Sequence, residues 1–304
     1  GADPSAVTDR ARERGASQLG TLGSGNHFCE VGFVAEVYDE TAARAFGLQA
    51  GAVTVFIHTG SRGLGYQVCD DSLQAMLGAS HRYGIALPDR QLCCAPLGSP
   101  EAGAYLAAMA SAANFAFANR QTITHFARAA WNDTFGRATG APPLRVVYDV
   151  CHNIGKWEDH VVDGSPRRVF VHRKGATRAL PPGDPRVPDA YRDVGQPVLV
   201  PGDMGRYSFV LVGTQVAARE TFASSCHGAG RVLSRKAATK QARGRDVIRE
   251  LADRGIVVRA ASRATVDEEM PDAYKDVADV CDVACGAGLA RKVAMLRPLA
   301  VVKG

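Results

Sequence analysis

The stretch LRVVYDVCHNIGKWEDHVVDGSPRRVFVH, residues 144–172, carries β-rich runs at its two ends, LRVVYDV and RRVFVH, with a Cys-His-Asn cluster following the first. Val, Tyr and Phe concentrated over six or seven residues favour strands. Working outward, VTVFIH (Val53 to His58) and SFVLVG (Ser208 to Gly213) repeat the pattern, and several of these runs deliver a polar cluster at their C-terminal end. Between them, Ser99-Pro100-Glu101 offers an N-cap with proline at the first helical position, opening the alanine-rich run that ends at Trp131. That run is expected to be a long helix packed in the core. A second helix is expected from about Gly230 through RVLSRKAATKQARGRDVIRELADR, stopping at Gly255. Strands and helices mix without a regular βαβ alternation, so the expected fold class is α+β. PPGDPRVPD (Pro181 to Asp189) reads as a surface loop and a candidate boundary.

With 304 residues, 46% of them hydrophobic, the chain is long enough to bury a sizeable core as one large domain or two closely packed ones. No run of about 18 apolar residues is present, and the start GADPSAVTDRARERG lacks the apolar stretch of a signal peptide, so a cytoplasmic protein is expected. Eight cysteines are scattered, three of them (Cys29, Cys151, Cys226) beside or near a histidine, which favours reduced thiols over a disulfide framework. The net charge of +5 suits a polyanionic partner without requiring one.

Four histidines stand in glycine-rich or polar settings: GSGNHFCE (His27), HTGSRGLG (His58), DVCHNIG (His152) and SCHGAGR (His227). A buried histidine bonded to a backbone carbonyl is the ordinary role of any one of them. Four imidazoles brought from distant parts of a chain to strand ends are also how non-sequential metal sites are built, with nitrogen donors suiting manganese, zinc or iron. The same clusters carry anion chemistry. Glycines let backbone N–H groups approach phosphate, and Arg62 and Arg231 are able to grip its oxygens in bidentate fashion. Gly228, Ala229 and Gly230 precede the expected second helix, which would put His227 at a helix N-terminus as a candidate nucleophile toward phosphorus. A helix-entry turn whose glycines merely solve backbone geometry is the alternative. His81, His125, His160 and His172 lack such context.

Taken in order, LGTLGSGNHFCEV, HTGSRGLG, DVCHNI, VHRKGATRA, QPVLVPGDMGRYSFVLVGT, SCHGAGRVLSR, AYKDV and LRPLAVVKG resemble the motif series of the RtcB RNA ligases, from about Gly15 to Gly304. The resemblance implies antiparallel sheets around a deep cleft, with residues 1–304 as the C-terminal part of the family's catalytic domain. It implies joining of RNA 2′,3′-cyclic phosphate or 3′-phosphate ends to 5′-hydroxyl ends, with GTP as co-substrate and two Mn2+ ions, in tRNA splicing and RNA repair. An archease-type activator is a partner the family suggests. By the same resemblance His227 carries GMP, while His27, His58 and His152 ligate manganese. Asn26 and Asn153 contact phosphate. Glu30, Ser208, Tyr274 and Lys303 recognise or stack on guanine, with Ala229, Gly230 and Arg231 beside the nucleotide. Arg62 and Lys174 bind phosphate or RNA backbone, as Arg231 is also suited to do.

Two departures bear on this. The family's upstream Asp-x-Gly-Cys-Gly-Met segment, which supplies an aspartate and a bridging cysteine to the metals, is expected to lie before Gly1, and Asp282-Val-Ala-Cys285-Gly is no substitute for it. Asp203 stands where many members have a nucleotide-contacting serine. Three classes stay open at this point: an active ligase, a degenerate nucleotide- or RNA-binding protein, and a metal-dependent phosphoesterase.

Overall fold

The computed structural model describes all 304 residues. The strands are β1 (Phe28–Val37), β2 (Val53–His58), β3 (Asn153–Val162), β4 (Ser165–Lys174), β5 (Ala176–Arg178), β6 (Pro197–Val200), β7 (Ser208–Gly213), β8 (Ser224–Cys226), β9 (Val257–Ala260) and β10 (Ala290–Lys303). The helices are α1 (Asp9–Ala16), α2 (Glu40–Phe46), α3 (Arg62–Arg82), α4 (Pro100–Trp131), α5 (Arg137–Thr139), α6 (Gln215–Glu220), α7 (Arg235–Gln241), α8 (Val247–Ala252), α9 (Arg263–Glu268) and α10 (Val277–Gly286). Largely antiparallel sheets with surrounding helices make this an α+β protein. The chain forms two compact units, 1–23 with 58–144 and 24–57 with 145–304, so the Pro181–Asp189 loop lies within the second unit and marks no division.

The larger unit is organised around β10. A sheet ordered β2-β1-β10-β7-β6 surrounds it, and β9 pairs with it in parallel. The β7 run SFVLVG is buried throughout because the sheet is covered on both faces. Val210 and Val212 pack with Phe46 and Leu296, while Phe209 and Leu211 pack with Val277 and Cys281. Gly32 lies at a register shift between β1 and β10, where a Cβ would stand 2.4 Å from the Arg297 carbonyl oxygen. Only glycine fits that approach. Two small ladders, β3 with β4 and β5 with β8, complete the unit.

In the smaller unit Ser99 caps α4 by accepting from the Ala102 N–H, as the sequence leads one to expect, and the helix runs 32 residues. It is not buried all round. Ala102, Ala108, Ala112, Ala116, Asn119, Arg120 and Ile123 form one covered stripe.

Two expectations fail. Leu144–Val150 forms no strand. Val147 is packed against the Val34 and Phe46 cluster and its carbonyl accepts from the Tyr191 hydroxyl at 2.9 Å, so the run gains burial without a ladder. The expected helix from Gly230 to Gly255 is two short helices, α7 and α8, interrupted at Gly244 with φ +79°. Ser234 and Asp246 cap them separately. The run does end before Gly255, which adopts φ +81°.

Candidate nucleotide site

Two chain turns bring His152 and His227 together in the larger unit. His152 immediately precedes β3 and His227 immediately follows β8. The β3–β4 ladder starts at the pair Asn153–Lys174, and the β5–β8 ladder at Ala176–Cys226, so Gly175 links both. Its N–H donates to the His152 carbonyl at 3.2 Å, with φ +70° at the glycine. The two imidazole centroids then stand 4.5 Å apart at 44°. A Cβ on Gly175 would lie 3.5 Å from Cε1 and 3.8 Å from Nδ1 of His227, so this ring edge faces the turn. Burial and then the Lys174 ammonium depress the His227 pKa, against a hydrogen bond from the ring to the Gly175 carbonyl. Burial therefore favours the neutral imidazole, the form that keeps a lone pair.

His227 does not stand at a helix N-terminus. Gly230 adopts φ +73°, the Ala229 N–H donates to the Pro201 carbonyl at 3.0 Å, and the chain bridges to Tyr274 at Arg231 before α7 starts at Arg235. The glycines turn the chain across a neighbouring segment, and α7 begins eight residues beyond His227.

A second group of polar side chains is buried beside β1, β7 and β10. Glu30 on β1 is 4% exposed, and burial first, then Asp203, push its carboxyl up to about 8. Ser208 opens β7 and its Oγ accepts from the Gly202 N–H at 3.2 Å. Asp203 accepts from the Gly205 N–H at 2.9 Å and from Arg206 at 2.6 Å. Arg206 in turn donates to the Tyr274 carbonyl at 3.1 Å, so Asp203 braces the Tyr274 turn. Lys303 is buried at the end of β10, and its ammonium is pushed down to about 8 by desolvation, against the pull of Glu269 and Glu268.

Arg231 is engaged internally. It donates to Glu269 at 2.8 Å and to the carbonyls of Glu268 and Leu233, with its guanidinium 5.0 Å from the Tyr274 ring centre. The Tyr274 hydroxyl also donates to Glu269. Glu269, 1% exposed, is the centre of this cluster and was missed in the sequence, where EEMPD carries no motif. Among the remaining expected residues of this unit, Asn26, Asn153 and Lys174 are exposed and His27 is half-buried just before β1.

In the smaller unit Arg62 opens α3 with φ +52° and donates to the Thr21 hydroxyl at 3.2 Å. Its guanidinium lies over Gly23, and desolvation lowers its pKa. Asn119 on α4, fully buried, accepts from the N–H groups of Gly20 and Thr21 and donates to the Thr21 and Gly60 carbonyls. It pins both the Leu19–Leu22 segment and the HTGSRG loop, a role hidden in the sequence within an alanine-rich helix. His58, the last residue of β2, is half-buried and belongs to this unit.

No group of three or more His, Cys, Asp or Glu side chains in the chain is arranged to hold a metal ion, so these donors do not close a coordination shell by themselves. Asp282 of the DVACG segment instead pairs with Lys292 at 2.5 Å.

The profile of the family described as "tRNA-splicing ligase RtcB" matches residues 1–304. The chain belongs to the RtcB family. It is 57% identical over its whole length to a tRNA-splicing ligase RtcB of Thermococcus kodakarensis, 56% to one of Pyrococcus horikoshii and 54% to one of Archaeoglobus fulgidus. It spans 63%, 35% and 63% of those three RtcB proteins respectively. The family match gives the ordered motifs their common origin, and it includes the segments that deliver His152 and His227. No helix is long and apolar enough to cross a membrane.

Proposed function

We propose that this chain is the nucleotide-carrying part of a cytoplasmic, GTP- and Mn2+-dependent RNA ligase of tRNA splicing and RNA repair. It would join 2′,3′-cyclic phosphate or 3′-phosphate ends to 5′-hydroxyl ends, with an archease-type protein as a candidate activator. The observation that carries the reading is His227, a half-buried imidazole held against His152 on a glycine turn.

The Nδ1–Cε1 side of the His227 ring faces the Gly175 turn, and Nε2 is taken as the attacking atom. Nε2 attacks the α-phosphorus of GTP, a P–N bond forms, and the bond to pyrophosphate breaks. A 2′,3′-cyclic phosphate end is first opened by water, which breaks the bond from phosphorus to the 2′ oxygen; the RNA 3′-phosphate then takes GMP from the histidine, and the 5′-hydroxyl oxygen attacks that activated phosphorus and expels GMP. Lys174, exposed opposite Asn153, supplies positive charge beside the phosphates, and Arg62 does the same for phosphate or RNA backbone. Glu30, once ionised, accepts from the N1–H and N2–H donors of guanine, with Ser208, Lys303 and Tyr274 as its companions in base recognition. Asn26, Asn153, Ala229 and Gly230 are assigned to the nucleotide, while Arg231, whose guanidinium is taken up by Glu269, Glu268 and Leu233, acts beside it by supporting the Tyr274 ring. Asp203 acts through the Tyr274 turn. His27, His58 and His152 are proposed as the chain's nitrogen donors to manganese. They do not fit a complete shell alone.

The test is incubation of the full-length protein with α-labelled GTP and Mn2+, followed by denaturing electrophoresis. Covalent label is expected. Reversible binding alone would make the protein a nucleotide-binding module, and phosphate release without labelling would make it a phosphoesterase.

A further inference from the structure

The β3–β4 hairpin buries an ion pair that the reaction above does not use. Glu158 and Arg173 are 5% and 3% exposed and bond in parallel at 2.7 and 2.8 Å. His160, also buried, bonds the same carboxylate at 2.9 Å. Placing two charges in the interior is costly unless every donor and acceptor is used, and a hydrophobic set of similar volume would serve stability as well or better. The remaining donors of Arg173 have a definite target. One Nη donates to the Phe222 carbonyl at 2.8 Å and Nε donates to the Ser224 hydroxyl at 2.9 Å.

That target leads directly into His227. Phe222 and Ala223 are consecutive non-glycine residues with φ +50° and +51°, a conformation that costs L-residues energy and persists only when surroundings impose it. Ala223 is held on both sides, its N–H to the Ala217 carbonyl at 2.8 Å and its carbonyl from the Ala179 N–H at 2.7 Å. The His160 ring meets Phe222 edge-on at 5.3 Å. Ser224 then begins β8, which is only three residues long and ends one residue before His227. Three ladder pairs with β5 leave the position of such a short strand sensitive to how its ends are held. Arg173 holds one end and His227 is at the other, about 10 Å away along an extended chain.

We propose that Arg173, fixed in place by Glu158 and His160, is a positioning residue that sets the placement of His227 for attack. The proposal rests on the reading of His227 as the guanylylated residue. Arg173 touches neither nucleotide nor RNA. It acts by holding the strained Phe222–Ala223 turn and the first residue of β8, so its loss misplaces the nucleophile without removing a binding contact.

The test compares single-turnover guanylylation of the full-length protein, over a range of GTP concentrations, for wild type, Arg173→Lys and Ser224→Ala. Lysine keeps the charge that Glu158 needs but loses the fork, and the alanine variant removes one target while leaving the buried pair intact. The maximal rate is expected to fall about ten- to a hundredfold for Arg173→Lys, as small displacements of a reacting group do, and about three- to tenfold for Ser224→Ala. The GTP concentration giving half the maximal rate should stay within about twofold for both. Should the lysine variant fail to fold, Ser224→Ala decides alone, with a thermal midpoint matching wild type as its control. Wild-type maximal rates, or losses confined to half-saturation, would overturn the positioning role. Wild type that takes up no label, or label on a residue other than His227, would instead overturn the assignment of the nucleophile.

Discussion

Replacing Glu30 by glutamine separates two demands on one side chain, a stable fold and a carboxylate able to read guanine. Glu30 is almost wholly buried on β1, and desolvation, followed by the Asp203 charge, raises its pKa from 4.5 to about 8. Between those values the folded chain keeps a proton that the unfolded chain has released. The corresponding stability is fully present below the unfolded pKa and is lost as pH rises toward about 8, at about 1.4 kcal/mol per pH unit for one proton. From pH 5 to pH 7 that amounts to about 3 kcal/mol. Glutamine has nearly the same shape and does not titrate. The difference in unfolding free energy, variant minus wild type, should therefore grow by about 3 kcal/mol over those two pH units and level off above pH 8. Urea unfolding at half-unit pH steps measures it, and subtraction cancels groups that titrate alike in both proteins. A difference that stays flat with pH would refute the buried-carboxyl argument. Binding should move the opposite way. With a pKa of about 8, roughly a tenth of the wild-type side chain is ionised at pH 7, so GTP affinity should rise with pH through about 8. Glu30→Gln should lose that rise together with its preference for GTP over ATP, because an unmatched buried polar group is what discriminates between bases.

In the full-length protein His227→Ala should abolish covalent GMP labelling while metal content is retained, and labelling that survives the substitution would assign the nucleophile elsewhere. Gly23→Ala would set a Cβ 1.7 Å from Arg62 Nη1 at a residue with φ +93°. It should lower stability by about 1–2 kcal/mol and reduce ligation by displacing the guanidinium; unchanged unfolding and turnover would count against the close packing. Ser99→Ala should cost about 1 kcal/mol by removing the acceptor for the Ala102 N–H, checked by a lower thermal midpoint with guanylylation unchanged.

Local signals in the sequence were enough for elements whose determinants lie within a few residues. Ser99, Pro100 and Glu101 mark the start of α4, and the β-rich runs at Val53, Arg167 and Ser208 all lie in strands. The ordered motifs were likewise enough for the family, since motif order is a property of the chain itself. The Leu144–Val150 run has the same β-rich composition and still forms no strand, because pairing needs a partner edge and Val147 instead finds core packing and a tyrosine hydroxyl. The expected helix after His227 is divided because Gly244 adopts a left-handed conformation and two separate caps compete with helix continuation. What only the tertiary structure decided is the environment of the site. Glu158 and Arg173 are 15 residues apart, Arg173 and Ser224 51, and Arg231 and Glu269 38. Such charges are ordinary in a sequence, and they acquire a role only when topology buries them against one another, since desolvation and hydrogen-bond geometry depend on where the chain has been brought rather than on which residues it contains.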